Sequence, residues 1–212
     1  MLKLYGFARV NKIARGNTRD LRVLWTLEEI GLPCEIVGMD HPNHDLDAPS
    51  YRALNPFGQI PVIDDDGVVV TESGAILLYL ARKTGKLMPR DLAGEAQVLR
   101  WSIAALNTVE LPLLSMWFVD MSGGKDTKPG QALHGWSDMR LRELDGWLAG
   151  RSYVAIDDFT VADILMTHVL DAGTPKEMLQ PYANLLAYRA RCTGRPAWNK
   201  TVDAYCERVQ AA

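Results

Sequence analysis

Two neighbouring residues, Glu72 and Ser73, have the types and the placement to bind a small charged molecule. They follow a short apolar run and precede a helical pattern. A serine at the N-terminus of a helix supplies a hydroxyl and unpaired amides, which together form a natural seat for a carboxylate. Glu72 beside it supplies a negative charge for an ammonium group. Alone, Ser73 could equally be a plain helix cap and Glu72 a solvated charge.

Upstream of this pair, Pro61 lies inside the apolar residues 60–63. A proline removes a donor from a β-ladder, so it is expected at a sheet edge, at a strand start or at a bulge. If the Ile60–Pro61 peptide bond is cis, the main chain of Ile60 stays open to an extended peptide. An open peptide edge, a carboxylate seat and a partner for an amine together suit a small zwitterionic peptide.

The first part of the chain has the patterns of alternating strands and helices. Strands are expected at residues 2–6 and 34–39, with a helix between them that ends at Gly31. A hairpin turn at residues 64–67 joins two further short strands, and a helix over 73–83 follows. The order βαβ and then ββα is the thioredoxin-like arrangement. Residues 7–17 read as a long loop.

After a linker at residues 85–91, the patterns are helical throughout. Helices are predicted at 94–119 (interrupted at Pro112), 129–148, 181–193 and 197–209. Thr160 and Asp163 form a capping box, which we assign to folding rather than to catalysis. The fold class is therefore an α/β thioredoxin-like domain, residues 1–84, followed by an all-α helical bundle, residues 92–212.

Two runs of residues resemble the glutathione-binding half of the glutathione S-transferase family. They are Asn-Pro-Phe-Gly-Gln-Ile-Pro-Val-Ile at 55–63 and Thr-Glu-Ser-Gly-Ala-Ile-Leu-Leu-Tyr-Leu at 71–80. In the second half, Phe-Thr-Val-Ala-Asp-Ile-Leu at 159–165 is similar to an element of the family's helical domain, so the resemblance spans nearly the whole chain. It implies that Pro61 is cis, that Ile60 pairs with the cysteinyl unit of glutathione, and that Glu72 and Ser73 hold the γ-glutamyl end.

The resemblance also indicates which group activates the thiol. Asn17-Thr18-Arg19 and the residues after it resemble a bacterial and fungal pattern, Asn-Ser-Arg-x-x-Arg-hydrophobic-Leu-Trp. Thr18 stands where the family has serine, and Arg19 would stabilise the site electrostatically. The long preceding loop also permits an alignment that places Asn17 at the thiol. Tyr5 is a third candidate, and Thr18 could instead be a simple N-cap of the first helix.

The glycine end of glutathione is expected at the polar loop of residues 40–49. His41, His44 and Gln59 are the possible donors there. The basic residue that the family commonly has before the following short helix has no clear counterpart, and Leu46 stands near that position.

The electrophile site would be apolar and would lie on the long helix that follows the linker. Aromatic and methionine residues at helical spacing are more often plain core, and we favour that interpretation for most of them. The candidates are Trp101, Leu106, Met116, Trp117 and Phe118.

Composition limits the partners and the compartment. A net charge of −3 gives no electrostatic footprint for nucleic acid or for anionic lipid. No apolar run approaches the roughly 18 residues of a membrane helix, and no signal peptide is evident. The 3 cysteines are widely spaced and the 4 histidines form no convincing metal set, so we expect a cytoplasmic protein with free thiols and no metal.

The cysteines also bear on the type of reaction. No cysteine lies in residues 7–17, which argues against the thiol-transferring branches of the family that use their own cysteine. Cys34 falls in a predicted strand, and a buried inert thiol is the expected state for it.

The sequence therefore predicts a homodimeric glutathione transferase that joins the thiolate of glutathione, its co-substrate, to small hydrophobic electrophiles, as in detoxification. Two alternatives stay open. One is glutathione-dependent reduction of peroxides or disulfides, in which glutathione itself does the redox chemistry. The other is a non-catalytic binding protein that keeps the fold.

Overall fold

The computed structural model describes residues 1–172 and 174–212, which divide into two compact units. The sheet unit comprises Met1–Lys86 together with Arg195–Ala212, and the helical unit comprises Leu87–Gly194. The predicted boundary at residues 84–92 separates the same two kinds of structure. The last helix and strand, however, lie with the sheet, whereas the sequence grouped them with the helices.

The sheet unit contains a mixed sheet in the strand order β2-β1-β3-β4, with a short fifth strand beside β1. The pair β1 and β2 is parallel, whereas β3 runs antiparallel to both β1 and β4. This confirms the predicted thioredoxin-like arrangement. The strands are β1 (Leu2–Val10), β2 (Glu35–Asp40), β3 (Val62–Asp65), β4 (Val68–Thr71) and β5 (Gln210–Ala211).

The helices follow the predicted order in both units. Their bounds are α1 (Asp20–Ile30), α2 (Pro49–Leu54), α3 (Ser73–Thr84), α4 (Leu92–Ile103), α5 (Glu110–Met121), α6 (Lys128–Leu148), α7 (Val161–Ala172), α8 (Lys176–Leu179), α9 (Ala183–Thr193) and α10 (Pro196–Arg208). A 3₁₀ turn at Asp45–Asp47 precedes α2, and a π-helical segment at Ala104–Val109 joins α4 to α5.

The first strand corrects the sequence prediction, because it continues to Val10 where a loop from residue 7 was expected. The parallel pairing of β1 with β2 extends to Arg9 opposite Asp40, with one irregularity after Phe7. On the other side, Arg9 and Val10 pair with β5. The far end of the chain thus supplies the partner that makes residues 7–10 a strand, and only residues 11–19 remain as a connection to α1.

The first helix is buried around most of its circumference. It packs against α3 and α10, and the rings of Trp25 and Trp198 lie 4.7 Å apart between centroids. Burial of a large apolar side chain contributes about 1.5–3 kcal/mol, so Trp25, with none of its surface exposed, is a major anchor of the unit. The helix ends at Gly31, whose φ of 71° confirms the predicted C-terminal stop.

The long helix at the start of the helical unit is irregular at a different place from the one predicted. The sequence placed an interruption at Pro112, but the chain stays helical from Leu92 to Met121 and widens into the π-helical segment just before the proline. A proline has no N–H to donate to the preceding turn, so the irregularity appears N-terminal to it.

The predicted capping box organises the core of the helical unit. Asp163 is fully buried and accepts hydrogen bonds from the backbone N–H of Thr160 (2.9 Å) and from its hydroxyl (3.0 Å). Its other oxygen accepts from the backbone N–H of Val154 (2.8 Å) and from the hydroxyl of Tyr188 (3.0 Å). Burial raises the pKa of Asp163. These contacts confirm that the residue serves the fold.

Among the described residues, the helix Leu92–Met121 is long and apolar enough to cross a membrane by length and composition alone. Its most apolar 18-residue window has a mean hydropathy of 1.4, and 33% of that window is buried. The expectation that no apolar stretch approaches this length was wrong, because it counted only uninterrupted runs. Core helices of folded domains meet the same criteria.

Candidate functional site

A rigid turn precedes the predicted peptide-binding edge. The carbonyl oxygen of Gln59 accepts two hydrogen bonds, one from the hydroxyl of Tyr51 and one from the side-chain amide of Asn55, each at 2.8 Å. The Asn55 side chain also accepts from the backbone N–H of Phe57 at 3.0 Å, and Gly58 has a positive φ of 61°. The turn is therefore fixed from both sides, while the side chain of Gln59 is exposed.

The main chain just after this turn is open. The Ile60–Pro61 bond is cis, which confirms what the resemblance implied. Strand β3 begins only at Val62, and no backbone hydrogen bond joins Ile60 to any other of the described residues. The side chain of Ile60 packs in a cluster with Leu46, Tyr51 and Val62. A buried side chain with unpaired main-chain groups is the arrangement that an extended peptide can complete.

The predicted pair Glu72 and Ser73 lies at the start of α3, with one correction. The N-cap position belongs to Glu72, which is exposed and has φ 66° and ψ 118°, and Ser73 is the first helical residue. Ser73 is buried, and the side chain of Glu72 makes no cap hydrogen bond. Non-glycine residues with positive φ are costly and cluster at ligand sites, so the backbone at Glu72 indicates a functional constraint.

A buried arginine that the sequence reading did not single out completes this site. Arg22, on α1, is 1% exposed, and its Nη1 donates to Oγ of Ser73 at 3.1 Å. We call Arg22, Ser73 and the first turn of α3 the anion seat. The first amides of a helix have no intrahelical acceptor, so positive charge and free donors converge there. The only sequence signal for Arg22 was its place in the Asn-Ser-Arg-x-x-Arg pattern.

The candidates for thiol activation lie in residues 11–19, which we call the connecting segment. Thr18 is 8% exposed, and its hydroxyl lies 2.6 Å from the hydroxyl of Tyr205. Asn17 is exposed and Arg19 is half-buried. The N-cap position of α1 belongs to Arg19, so the interpretation of Thr18 as a simple cap was wrong. Which of Thr18 and Asn17 meets the thiol stays a prediction.

A fully buried carboxyl, Asp20, lies directly after the connecting segment. Its Oδ2 accepts from the backbone N–H of Phe7 at 3.0 Å, and a Cβ added at Gly6 would come within 3.1 Å of the same atom. Desolvation raises the pKa of Asp20, although hydrogen bonds from Thr18 and Phe7 and the charge of Arg208 oppose the rise. A carboxyl that resists ionisation therefore lies beside the hydroxyl of Thr18.

Several of the candidates for the glycine end of a peptide contact other residues of the protein. His41 lies against Phe7, with the ring centroids 6.1 Å apart, and Nδ1 of His44 is 3.1 Å from Asp47. The basic residue in this region is Arg52, which donates to the carboxylate of Asp47 at 2.7 Å. His44 and Arg52 are thus engaged with another residue of the protein, and the roles of His41 and Gln59 stay predictions. Leu46 is buried and belongs to the core.

The candidates for the electrophile site fall into a buried group and an exposed group. Trp101 and Met116 are core residues, as favoured, and Leu106 is half-buried. Trp117 and Phe118 are exposed. Tyr5 lies within β1 and packs against the ring of Tyr51, which accords with the preference for it as a strand residue.

All three cysteines are free. Cys34 lies just before β2 and is half-exposed, so the expectation of a buried residue within the strand was wrong. Burial still raises its pKa, and burial raises the pKa of Cys192 to about 12. Among the described residues, no group of His, Cys, Asp and Glu could hold a metal ion.

The sheet topology, the cis Ile60–Pro61 bond and the separate helical unit together define the glutathione transferase fold. Comparison with known proteins agrees. The sequence profile described as "Glutathione S-transferase, N-terminal domain" matches residues 13–82. Glutathione S-transferase 3 of Schizosaccharomyces pombe is 30% identical over 201 residues, which cover 85% of this chain and 81% of the relative.

Two further comparisons extend along the chain. Glutathione S-transferase 3 of Zea mays is 31% identical, over 96% of this chain and 94% of its own length. The crystal structure of a glutathione transferase from Burkholderia graminis, with two glutathione molecules bound per subunit, superposes with a TM-score of 0.80 at 30% identity and covers 96% of this chain and 88% of that one. The chain belongs to the glutathione S-transferase family, and it is an enzyme of that family.

Proposed function

We propose that this protein binds glutathione as a co-substrate at the anion seat and the Ile60 edge and transfers its thiolate to a small hydrophobic electrophile. One observation carries the proposal. The open main chain of Ile60, the exposed carboxylate of Glu72 and the buried Arg22–Ser73 contact all lie in the sheet unit. The glutathione bound in the related structure supports the same ligand.

Each part of glutathione has a matching group in this arrangement. The main chain of Ile60, beside Gln59 and Pro61, pairs with the cysteinyl unit. Ser73 and the first amides of α3 receive the γ-glutamyl carboxylate, with the charge of Arg22 behind them, and Glu72 binds the ammonium group. The helix N-terminus contributes about 0.3–1 kcal/mol to such an anion, so the buried arginine is expected to matter more.

The thiol is activated by a hydroxyl at the N-terminus of α1. We assign this donor to Thr18, with Arg19 adding positive charge, and Asn17 is the alternative donor. Lowering a thiol pKa by about two units requires ~2.7 kcal/mol, which one hydrogen bond to the thiolate and a helix N-terminus can supply together.

The proposal extends to the organisation of the enzyme. Residues 1–84 form the glutathione-binding domain, and the helices within the helical unit, Leu87–Gly194, form the apolar electrophile site. We further propose a cytoplasmic homodimer that acts in detoxification. These statements rest on family membership and on the sequence, whose three free cysteines fit a reducing compartment.

Calorimetry with glutathione tests the binding site. The native chain is expected to bind with a Kd between tens of micromolar and millimolar, and the double variant Glu72→Ala, Ser73→Ala to show no measurable binding. A matched control, Glu177→Ala with Ser152→Ala, removes the same two residue types at exposed positions of the helical unit and should bind like the native chain. Absence of binding to the native chain would overturn the proposal. A chain that binds but consumes a hydroperoxide rather than an aromatic halide would overturn the transfer step.

A further inference from the structure

The C-terminal end of the chain is fastened to the strand and segment that carry the proposed thiol donor. We call residues 205–212 the C-terminal clasp. Its strand β5 pairs with Arg9 and Val10, and the terminal Ala212 N–H donates to the carbonyl of Val10 at 2.8 Å. From the connecting segment, Nε of Arg15 donates to the carbonyl of Val209 at 2.8 Å. The clasp therefore holds the chain on both sides of this connection.

Within the clasp, Tyr205 contacts the donor itself. It is 1% exposed, and its hydroxyl lies 2.6 Å from Oγ1 of Thr18. A threonine hydroxyl has one proton to donate and two positions at which to accept. If the phenol donates to Oγ1, it occupies an accepting position, and the proton of Thr18 is directed to another atom. The Thr18 hydroxyl is also hydrogen-bonded to the Asp20 carboxyl, and the branched Cβ of threonine restricts rotation, so Tyr205 and Asp20 together fix where the hydroxyl lies.

The surroundings of the pair keep the phenol protonated, so that it has a proton to donate. Burial raises the pKa of Tyr205, so its proton is retained at neutral pH. Asp20 is fully buried beside Thr18 with a raised pKa. The guanidinium of Arg208 donates to the carbonyl of Phe7 and lies 5.8 Å from the ring centroid of Tyr205. The charge of Arg208 opposes the rise in the pKa of Tyr205, but desolvation is the larger effect and the phenol keeps its proton.

We propose that Tyr205 is a positioning residue, which orients the hydroxyl of Thr18 and thereby sets the acidity of the thiol of bound glutathione. The inference rests on the proposed function, because it acts through Thr18 as the thiol donor. It assigns a role in the reaction to the last helix, which is distant in sequence from every other proposed site residue.

The test is the pKa of glutathione bound to the enzyme, read from the ultraviolet absorbance of the thiolate as the pH is changed. Thr18→Val is expected to raise this pKa by about one pH unit or more, since a hydrogen bond to a charged acceptor is lost. Tyr205→Phe should also raise the pKa of the bound thiol, by up to one pH unit. In the double variant, Tyr205→Phe should add nothing to Thr18→Val, because both changes act through one hydroxyl.

Controls separate positioning from a loss of stability. Tyr182→Phe removes another largely buried hydroxyl, which donates to Asp138 in the helical unit, and should leave the thiol pKa unchanged. If Tyr205→Phe does not fold, Arg15→Met loosens the clasp from an exposed position and should raise the pKa by a smaller amount.

The outcomes distinguish this inference from the proposal on which it rests. A rise in Thr18→Val with no change in Tyr205→Phe, or effects that add fully in the double variant, would overturn the positioning role and leave the donor in place. No change in Thr18→Val would overturn both the donor and its positioning. No bound glutathione at all would overturn the proposed function itself.

Discussion

The anion seat and the connecting segment are the two halves of the proposed glutathione site, and they are built in opposite ways. The seat and the adjacent Ile60 edge are made by a turn, a hairpin and a helix start that follow one another within residues 55–77, with Arg22 added from α1. The connecting segment is held by the clasp, which lies about 190 residues further along the chain. Local chemistry builds the first half, and a long-range contact builds the second.

This difference predicts that damage to the clasp affects the connecting segment and spares the seat. Deletion of residues 209–212 removes the buried Val209 and the backbone pairing with β1. Together these contacts contribute about 3 kcal/mol to the free energy of unfolding. For a chain of this size the melting temperature should fall by about 6–12 °C, measured by thermal unfolding.

A thiol-blocked glutathione shows whether the seat is spared. S-Methylglutathione should bind the deletion variant and the native chain with similar affinity below their melting temperatures, since its γ-glutamyl end does not depend on the clasp. Gln210→Ala, an exposed side chain, serves as the control for stability. Equal losses of affinity for S-methylglutathione and for glutathione would show that the seat depends on the clasp as well.

The seat should in turn depend on Arg22 more than on any exposed charge. Replacing it with methionine removes the donor to Ser73 and the buried positive charge, and should weaken glutathione binding by about 10–100-fold, or ~1.5–3 kcal/mol. Calorimetry on Arg22→Met measures this. The glutathione affinity of Arg22→Lys should lie between those of the native chain and Arg22→Met, because an ammonium group keeps the charge but lacks the planar geometry of the guanidinium.

A matched control for this prediction is Arg142→Met on α6, whose side chain is 71% exposed. It should bind glutathione as the native chain does. Native-like affinity in Arg22→Met would show that Ser73 and the helix amides form the seat without the arginine.

The smallest expected effect is a pH dependence at Asp20, beside the connecting segment. Its folded pKa is raised above the ordinary value of 3.8 by desolvation, so the folded state disfavours the ionised form. Ionisation then costs stability above pH 3.8, and the cost grows until the pH passes the folded pKa. Asp20→Asn cannot ionise and can still accept from the N–H of Phe7.

The stability of Asp20→Asn relative to the native chain should therefore improve as the pH rises above about 4. Urea unfolding at several pH values measures the difference. A relative stability that falls with rising pH would mean that Arg208 stabilises the native carboxylate when it is ionised, and would contradict the assigned burial cost.

The sequence predicted those parts of the fold that are encoded by nearby residues. The hairpin turn at Asp66 and Gly67, both with positive φ, and the helix stop at Gly31 follow from residue types that tolerate these conformations. The capping box of Thr160 and Asp163 is likewise local. The order of strands and helices along the sheet unit followed from the hydrophobic pattern, and Pro61 together with the family resemblance indicated the position of the Ile60–Pro61 edge.

What the sequence did not predict depends on tertiary partners. Residues 7–10 form a strand because β5 and β2 pair with them, and nothing near them in the sequence indicates either partner. Arg22 reads as a polar position on a helix, and only the packing of α1 against α3 reveals that it is buried behind Ser73. The contact between Thr18 and Tyr205 is invisible for the same reason.

The most direct test of the account is a crystal structure of the protein with glutathione bound. It should show the γ-glutamyl carboxylate within hydrogen-bonding distance of Oγ of Ser73, the ammonium group beside Glu72 and the cysteinyl main chain paired with Ile60. Glutathione bound with its γ-glutamyl end away from Ser73, or with the main chain of Ile60 still unpaired, would contradict the central claim.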